Sequence, residues 1–497
     1  MMSESQSAHS QERTTICQLA RLGDLVQMLP LINRLKSYFK INLICDNIVE
    51  DWAEQLPGID GVHTIDTCLW RKIATEEDLN VPQVIQKLHA DIQAISNLAS
   101  CSVFSLNDHP VCDIISSIVR SEDPYGWVNH RLILLRSYLR AIAKAREWNR
   151  IHLSDLWGYL AGCPKTELTD YRLSEPKERR GRIPLINQFE MNPQRQTWAF
   201  IVGSGGKARR IDPKVFANWW KGVPEDIRPN CVLVGGKAEK ELARRFLNAS
   251  HPLAERVVNL VGELSPAELL ALFRTVDLVI GVDTGPLHWA AAVGTRVLGI
   301  YFGDAGLHDT GPLGNDHLIL TPDCNDYPCN ALLAEQCGYK CLTTYAASGS
   351  ISGLLSSLAR SDTIRDDYRF GVGLQLFRSK RTKEGQSYQL LGIRKSVPEI
   401  DAFTTIVRTI FNLSEPTHLL DNRMYGLPDI EPSDIHKNIL KSWSAAAADL
   451  QLPRTIPNDK VTRAKEKARQ ILEPICVDLI GGREMITPKE AAKCASY

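Results

Sequence analysis

Several short stretches combine a strand end, a glycine and a helix start, an arrangement able to hold anions and move protons. QLARLGDLVQMLP (18–30) sends a buried strand into Arg21-Leu22-Gly23-Asp24, with a helix opening at Asp24. Gly23 permits close backbone approach, and the free N–H groups of a helix start favour an anion or developing charge. Asp24 suits a plain N-cap. Alternatively, its carboxylate stands at the mouth of a cleft, ready to take a proton from an attacking hydroxyl. Gly281-Val282-Asp283-Thr284-Gly285-Pro286-Leu287-His288 ends a second apolar strand and begins a second helix. Its first turn, Thr284-Gly285-Pro286, suits a diphosphate, with Gly285 leaving room for a phosphate oxygen. The competing reading is a well-capped helix over a buried histidine. Another Thr-Gly-Pro, at Thr310-Gly311-Pro312, follows the next strand. Two such turns on one sheet edge favour phosphate binding.

Two further glycine turns are weaker signals, because glycine loops after strands are common. Gly203-Ser204-Gly205-Gly206-Lys207 is followed by Arg209 and Arg210, positive charge where a leaving diphosphate needs it. Gly235-Gly236 precedes Glu239, which reads first as a solvated helix residue; its carboxylate could also accept ribose hydroxyls. Cys324, Cys329, Cys337 and Cys341 form C-x4-C-x7-C-x3-C. Four thiolates at such spacing could hold a structural zinc or iron, although not in a standard ribbon pattern; free buried thiols and a redox role stay open. A catalytic metal would need an open position that four cysteines do not leave. In the stretch 130–150, Arg136, Arg140 and Lys144 stand four apart, as a solvated face or as a contact for anionic head groups or acceptor phosphates.

These turns need scaffolds. From Thr14 to Asn107, short apolar runs (TTICQLA, INLIC, GVHTI, CSVFSL) alternate with amphipathic stretches. That alternation predicts a parallel sheet covered on both faces. Residues 111–172 read as mostly helical. SEPKERRGRIP (174–184) is charged and nearly devoid of apolar residues, the best linker. A second alternation follows, with TWAFIVG, CVLVGG, DLVIGV and RVLGIYF as strands. Two doubly wound α/β units in tandem would place ligands in the crevice between them, at the carboxyl ends of strands. Beyond 345, FGVGLQLFRS and YQLLGIR resemble a strand pair, and helices are expected near 399–413, 434–449 and 458–474. The expected organisation is therefore a tail (1–13), a first domain (14–173), a linker (174–184), a second domain (185–345) and an α+β extension (346–497) of unread role.

The whole composition narrows the class. At 497 residues the chain is too long for one core and suggests about three units. Lys+Arg and Asp+Glu both number 58, which argues against a nucleic-acid partner. The apolar share of 44% and charged share of 23% are those of a soluble globular chain. No run approaches the roughly 18 apolar residues of a bilayer span. The polar start MMSESQSAHSQE lacks an export signal, so the expectation is cytoplasmic, with peripheral contact at the inner face of the inner membrane left open.

With these residues in view, the chain resembles the heptosyltransferases of glycosyltransferase family 9. The resemblance lies in ARLGDLVQMLPLINRLK, GSGGKARRIDPKVF, VGGKAEKELA and above all DTGPLHWAAAVGTRVLGIYFGD, and covers about residues 14–345. It implies a GT-B fold, two Rossmann-like domains facing a cleft, and inverting transfer of heptose from ADP-heptose to inner-core lipopolysaccharide. No metal takes part in that chemistry. By the same resemblance Asp24 matches the general base, and Asp283, Thr284 and Gly285 match the donor-phosphate turn, with Gly23, Ser204, Pro286, His288, Thr310 and Gly311 beside the donor. The family lysine falls on Arg209, with Lys207 two residues earlier, and Glu239 falls near the ribose-binding glutamate. The implied partners are a nucleoside-diphosphate sugar and a glycan or lipid-linked acceptor. Transfer to a secreted protein, a nucleotide-sugar epimerase and a non-catalytic scaffold remain as alternatives.

Overall fold

The computed structural model describes residues 12–68, 81–107, 110–121, most of 135–160, 172–173 and 192–205. It also describes 209–392 apart from 330, 348, 362, 371–372 and 383–384, with isolated positions between 400 and 470. The expected tail up to residue 11, the linker at 174–184, Lys207, Arg140, Lys144 and the helix expected at 434–449 lie outside the described residues.

The first unit runs β1 (Arg13–Gln18), α1 (Leu22–Gln27), α2 (Leu29–Leu35), β2 (Lys40–Asp46), α3 (Glu50–Ala53), β3 (Gly61–Ile65), α4 (Val81–Ser96), β4 (Ala99–Ser100), β5 (Ser102–Ser105), α5 (Pro110–Ile118) and β6 (Arg120–Ser121). Its four-stranded sheet has the order β3-β2-β1-β5, every pair parallel. β1 is buried from Thr14 to Gln18, so its apolar run without polar alternation is that of a strand covered on both faces. Arg136, expected on a cationic face, behaves otherwise. Arg136 is only 14% exposed and donates to Ser105 Oγ (2.8 Å) and the Asn107 carbonyl (2.9 Å) while pairing with Asp113. It ties down the end of β5, which replaces both the solvated-face and the head-group reading for this residue.

After α6 (Leu153–Leu160), the second unit comprises β7 (Thr197–Ile201), α7 (Pro213–Lys221), β8 (Asn230–Val234), α8 (Lys240–Ser250), β9 (Val257–Asn259), α9 (Pro266–Phe273), β10 (Leu278–Val282), α10 (Gly285–Ala292), β11 (Val297–Ile300), α11 (Leu307–Thr310) and β12 (Leu318–Pro322). Then follow α12 (Ala331–Gln336), α13 (Lys340–Ala347), α14 (Gly349–Arg360), β13 (Leu374–Thr382) and β14 (Gly385–Leu390). The sheet order is β14-β13-β12-β11-β10-β7-β8-β9. Its six parallel strands reproduce the doubly wound order, reversing direction between β7 and β10. Asp212 caps α7, accepting from Lys214 N (3.1 Å), and Ser265 closes a capping box on α9.

The domain end expected at 345 is corrected. β13 pairs antiparallel with β12, and β14 with β13, so the hairpin extends the second sheet. Leu354, Leu355, Leu358, Leu374, Leu376 and Leu391 join the second unit's core, which therefore reaches at least Leu391. Burial of those apolar side chains, each worth about 1.5–3 kcal/mol, holds the segment there.

The two units also share a core. Residues of α1, α2 and β1 cluster with Leu287, Trp289 and Ala290 of α10, and Trp52 meets Trp289 with ring centroids 5.0 Å apart. The site is thus built across a packed contact.

Candidate active site between two helix starts

α1 and α10 meet start to start. A β-carbon on Gly23 would lie 2.8 Å from His288 Cδ2, and one on Gly285 would lie 2.7 Å from the Leu22 side chain. Trp289 Nε1 donates to the Leu22 carbonyl at 3.2 Å. Glycine is needed at both places because each helix start occupies the space of the other's missing side chain. On the side where Gly285 lacks a side chain Leu22 fills the space, so the room expected for a phosphate oxygen is not on that side.

Asp24 sits in the first turn of α1, half-buried, with its carboxylate accepting from Arg21 N (3.1 Å). It is both cap and candidate base. Burial pushes its carboxyl above the usual range, against the Arg21 hydrogen bond and the pull of His288; neighbouring Asp283 pushes the same way as burial. A carboxylate raised in this way is a better proton acceptor than a solvated one.

Across the contact, Asp283 ends β10 and receives three groups. His288 Nε2 stands 3.1 Å from its Oδ1, Arg209 Nη1 stands 3.3 Å from its Oδ2, and the Tyr301 hydroxyl bonds to it. Burial pushes the Asp283 carboxyl up, but these groups outweigh it and hold it below the ordinary value. Gln27 Nε2 lies 3.4 Å from His288 Nδ1. With that amide donating, Nε2 carries the imidazole proton and donates to Asp283. Asp24 and Asp283 thus lie within electrostatic reach of each other and of His288, with opposite shifts. Thr284 makes no side-chain cap on α10, which leaves the positive end of that eight-residue helix to an external acceptor; Pro286 enters its first turn.

Arg209 is not a free cation. It forms a fork onto Asp304, Nε to Oδ1 at 2.7 Å and Nη2 to Oδ2 at 2.6 Å, besides its contact with Asp283. Burial opposes its charge, yet these carboxylates keep it more firmly protonated than usual. An incoming diphosphate would have to exchange with them. Ser204 is buried, and its carbonyl accepts from Arg210 Nη2 (3.2 Å). Glu239 is not merely solvated: its carboxylate covers Gly203, caps the turn at Gly236 N (2.8 Å) and packs beside Gly235. The carboxyl ends of β8, β7 and β10 therefore offer Glu239, Ser204 and Asp283 along one edge.

Thr310 and Gly311 are corrected. Thr310 is the last residue of α11 and Gly311 its C-cap, so this turn presents carbonyls rather than N–H groups. The Gly311 carbonyl accepts from His152 Nε2 at 3.0 Å, and Tyr388 fills the space of its absent side chain. Gln27, Tyr301 and Asp304 were not singled out from sequence. Gln27 lies three residues after Asp24 and so on the same helical face, the one signal that would have found it.

The four clustered cysteines are free thiols. Burial, reinforced by Cys337, Cys341 and Cys324, pushes the Cys329 thiol up to about 11. Among the described residues, however, no three His, Cys, Asp or Glu side chains are grouped to hold a metal ion. No step of the chemistry is assigned to a metal. Among the described residues no helix is long and apolar enough to cross a membrane.

Two doubly wound domains that join at their helix starts, with acidic and cationic groups at the strand ends, form a GT-B-like arrangement. Residues 119–342 match the family model of glycosyltransferase family 9 (heptosyltransferase). The matched span includes Asp283 and His288 but not Asp24. A protein of Haemophilus influenzae, provisionally named a glycosyltransferase, is 25% identical over 301 residues, 58% of this chain and 82% of that protein. The solved structure of the family 9 glycosyl transferase from Veillonella parvula aligns with a TM-score of 0.54 at 15% identity, covering 71% of this chain and 99% of that one. Escherichia coli ADP-heptose lipopolysaccharide heptosyltransferase II aligns with a TM-score of 0.43 at 15% identity, over 67% and 98% of the two chains.

Proposed function

We propose that this protein is an inverting glycosyltransferase that moves heptose from ADP-heptose to a glycan acceptor such as lipopolysaccharide core. One observation supports the reading: Asp24 lies within electrostatic reach of Asp283 and of His288, which pairs with Asp283 at the Asp283-Thr284-Gly285 turn. In the reaction the acceptor hydroxyl gives its proton to Asp24 as its oxygen bonds to the sugar's anomeric carbon. The bond from that carbon to the diphosphate oxygen breaks, and the electron pair leaves with the diphosphate. The start of α10 stabilises that departing charge, as does Arg209 once it exchanges a carboxylate for phosphate. His288 holds Asp283 ionised and oriented, which keeps the turn in place. Glu239 is positioned to accept ribose hydroxyls.

Native mass spectrometry with ADP-heptose and with uridine and guanosine diphosphate sugars tests the donor. ADP-heptose should bind; binding of the uridine or guanosine sugars alone would overturn the choice. Asp24→Ala should bind donor normally but no longer turn it over, and full activity in that variant would remove Asp24 as the base.

A further inference from the structure

A cavity of about 330 Å3 opens beside this site, at the carboxyl end of β12, and no role has been given to it. Its volume is at the lower end of ligand-sized clefts, about 300–1,000 Å3. The wall combines the 146–150 segment with α11, the end of β12 and, from the added hairpin, Gln375 and Phe377. Tyr327 links it to the site already described. Its hydroxyl accepts from Leu307 N (3.3 Å) and donates to the Ala305 carbonyl (2.8 Å), and it lies within electrostatic reach of Asp283.

The chemistry of the wall is specific. Among the described residues it presents two arginines, Arg146 and Arg150, and two carboxylates, Glu147 and Asp309, so the formal charges cancel. Asp309 is held rigidly, accepting from Arg146 Nε (2.8 Å) and Asn149 Nδ2 (2.6 Å). His308 is kept neutral by burial, reinforced by Arg150 and His152. Phe377 is half-buried and offers an aromatic face beside these polar groups. Thr321 also lines the wall, and its fully buried hydroxyl has no hydrogen-bond partner. A hydroxyl left without a partner there is one that a ligand hydroxyl could pair with. Balanced charge, fixed polar groups and an aromatic ring suit an uncharged polyhydroxylated ring better than a phosphate, which would seek unpaired cations.

We propose that this cavity is an acceptor subsite, taking an uncharged sugar residue of the glycan next to the one that is modified. It deepens the transferase reading and rests on it for the word acceptor. It also gives the hairpin beyond the family-matched span a part in acceptor choice.

Saturation-transfer NMR on the full chain, with glucose, galactose, N-acetylglucosamine and L-glycero-D-manno-heptose as probes, tests it. At least one sugar should bind saturably. Thr321→Val and Phe377→Leu should each weaken that binding by tenfold or more, while ADP binding stays unchanged. Thr321→Val removes an unpaired hydroxyl and should melt no earlier than the parent, so loss of binding will not be loss of fold. Binding of none of the sugars, unchanged binding in both variants, or preference for inorganic phosphate would overturn the proposal. ADP binding is read on the same samples: sugar binding without ADP binding would keep the subsite and sink the donor reading.

Discussion

Two arginine–aspartate arrangements occupy very different settings in this molecule. Arg381 and Asp155 are each 1% exposed, with Nη1 3.0 Å from Oδ1. Asp155 also accepts from Gln386 N (2.8 Å), and Gly385, at φ +114°, makes room for its carboxylate. Next to them His152 donates to the Gly311 carbonyl. This cluster latches α6 to the hairpin of the second unit and is closed on every side. Arg209 instead is 21% exposed and divides its guanidinium between Asp283 and Asp304, the latter 42% exposed. A closed pair can only hold the fold. An open, shared one can give up a carboxylate for an incoming anion.

The strongest test falls on the open side. Asp24→Ala should lower turnover by about 10²–10⁴-fold, the usual contribution of a general base, as read from kcat at saturating donor. The closed side should answer in stability. Asp155→Ala leaves Arg381 buried without its carboxylate and should cost about 3–5 kcal/mol in urea unfolding. Arg209→Met should change stability by about 1 kcal/mol or less, yet weaken ADP binding tenfold or more. If Arg209→Met unfolds the protein while Asp155→Ala leaves it intact, the contrast drawn between the two clusters is wrong.

The same contrast separates what could be read from sequence. The places of Asp24, Asp283 and His288 at a strand end and at helix starts were legible because such patterns are local, and the apolar strands announced two doubly wound units. Leu22 against Gly285 and Asp304 on Arg209 are long-range contacts, and no local pattern specifies them. Thr310-Gly311-Pro312 shows how a local pattern can point both ways. Glycine followed by proline is also the signature of a helix end, and that is what it marks here. The boundary at 345 was misplaced because alternation identifies a hairpin without saying which sheet edge receives it.

Acid should act on two buried histidines and on Asp24 in opposite senses. Burial lowers His152 and His317 from 6.5 to about 4. The unfolded chain therefore takes up these protons first, so their contribution is intact above pH 6.5 and lost as pH falls towards 4. Each histidine accounts for up to about 3 kcal/mol of that loss. Asp24 has the reverse sign: its carboxyl is raised in the folded state, so the fold holds that proton longer than the unfolded chain does, and stability declines as pH rises past the ordinary carboxylate range. Asp24→Asn should thus be more stable than the parent at pH 7 and equal to it at pH 3, by urea unfolding at both pH values. A variant less stable at pH 7 would mean that the Arg21 cap outweighs the burial cost.

The smallest effect comes from one substitution made in two helices. Gly353 lies exposed in α14, and a β-carbon there meets nothing within 4 Å. Gly353→Ala should therefore show only the gain in helix propensity, about 0.5–1 kcal/mol. Gly23→Ala has the same gain available in α1, but its new methyl group would press on His288 Cδ2. His288 cannot easily yield, since Asp283 and Gln27 hold its two ring nitrogens and the ring is only 4% exposed. Overpacking of that kind costs about 1–3 kcal/mol, so the net change should be destabilising by about 1 kcal/mol. Turnover should fall with it, because the displaced ring also orients Asp283. Equal and opposite shifts in melting temperature for the two variants would support a tight contact between the helix starts. A stabilised, fully active Gly23→Ala would show that the two units stand further apart in solution than the α1–α10 contact requires.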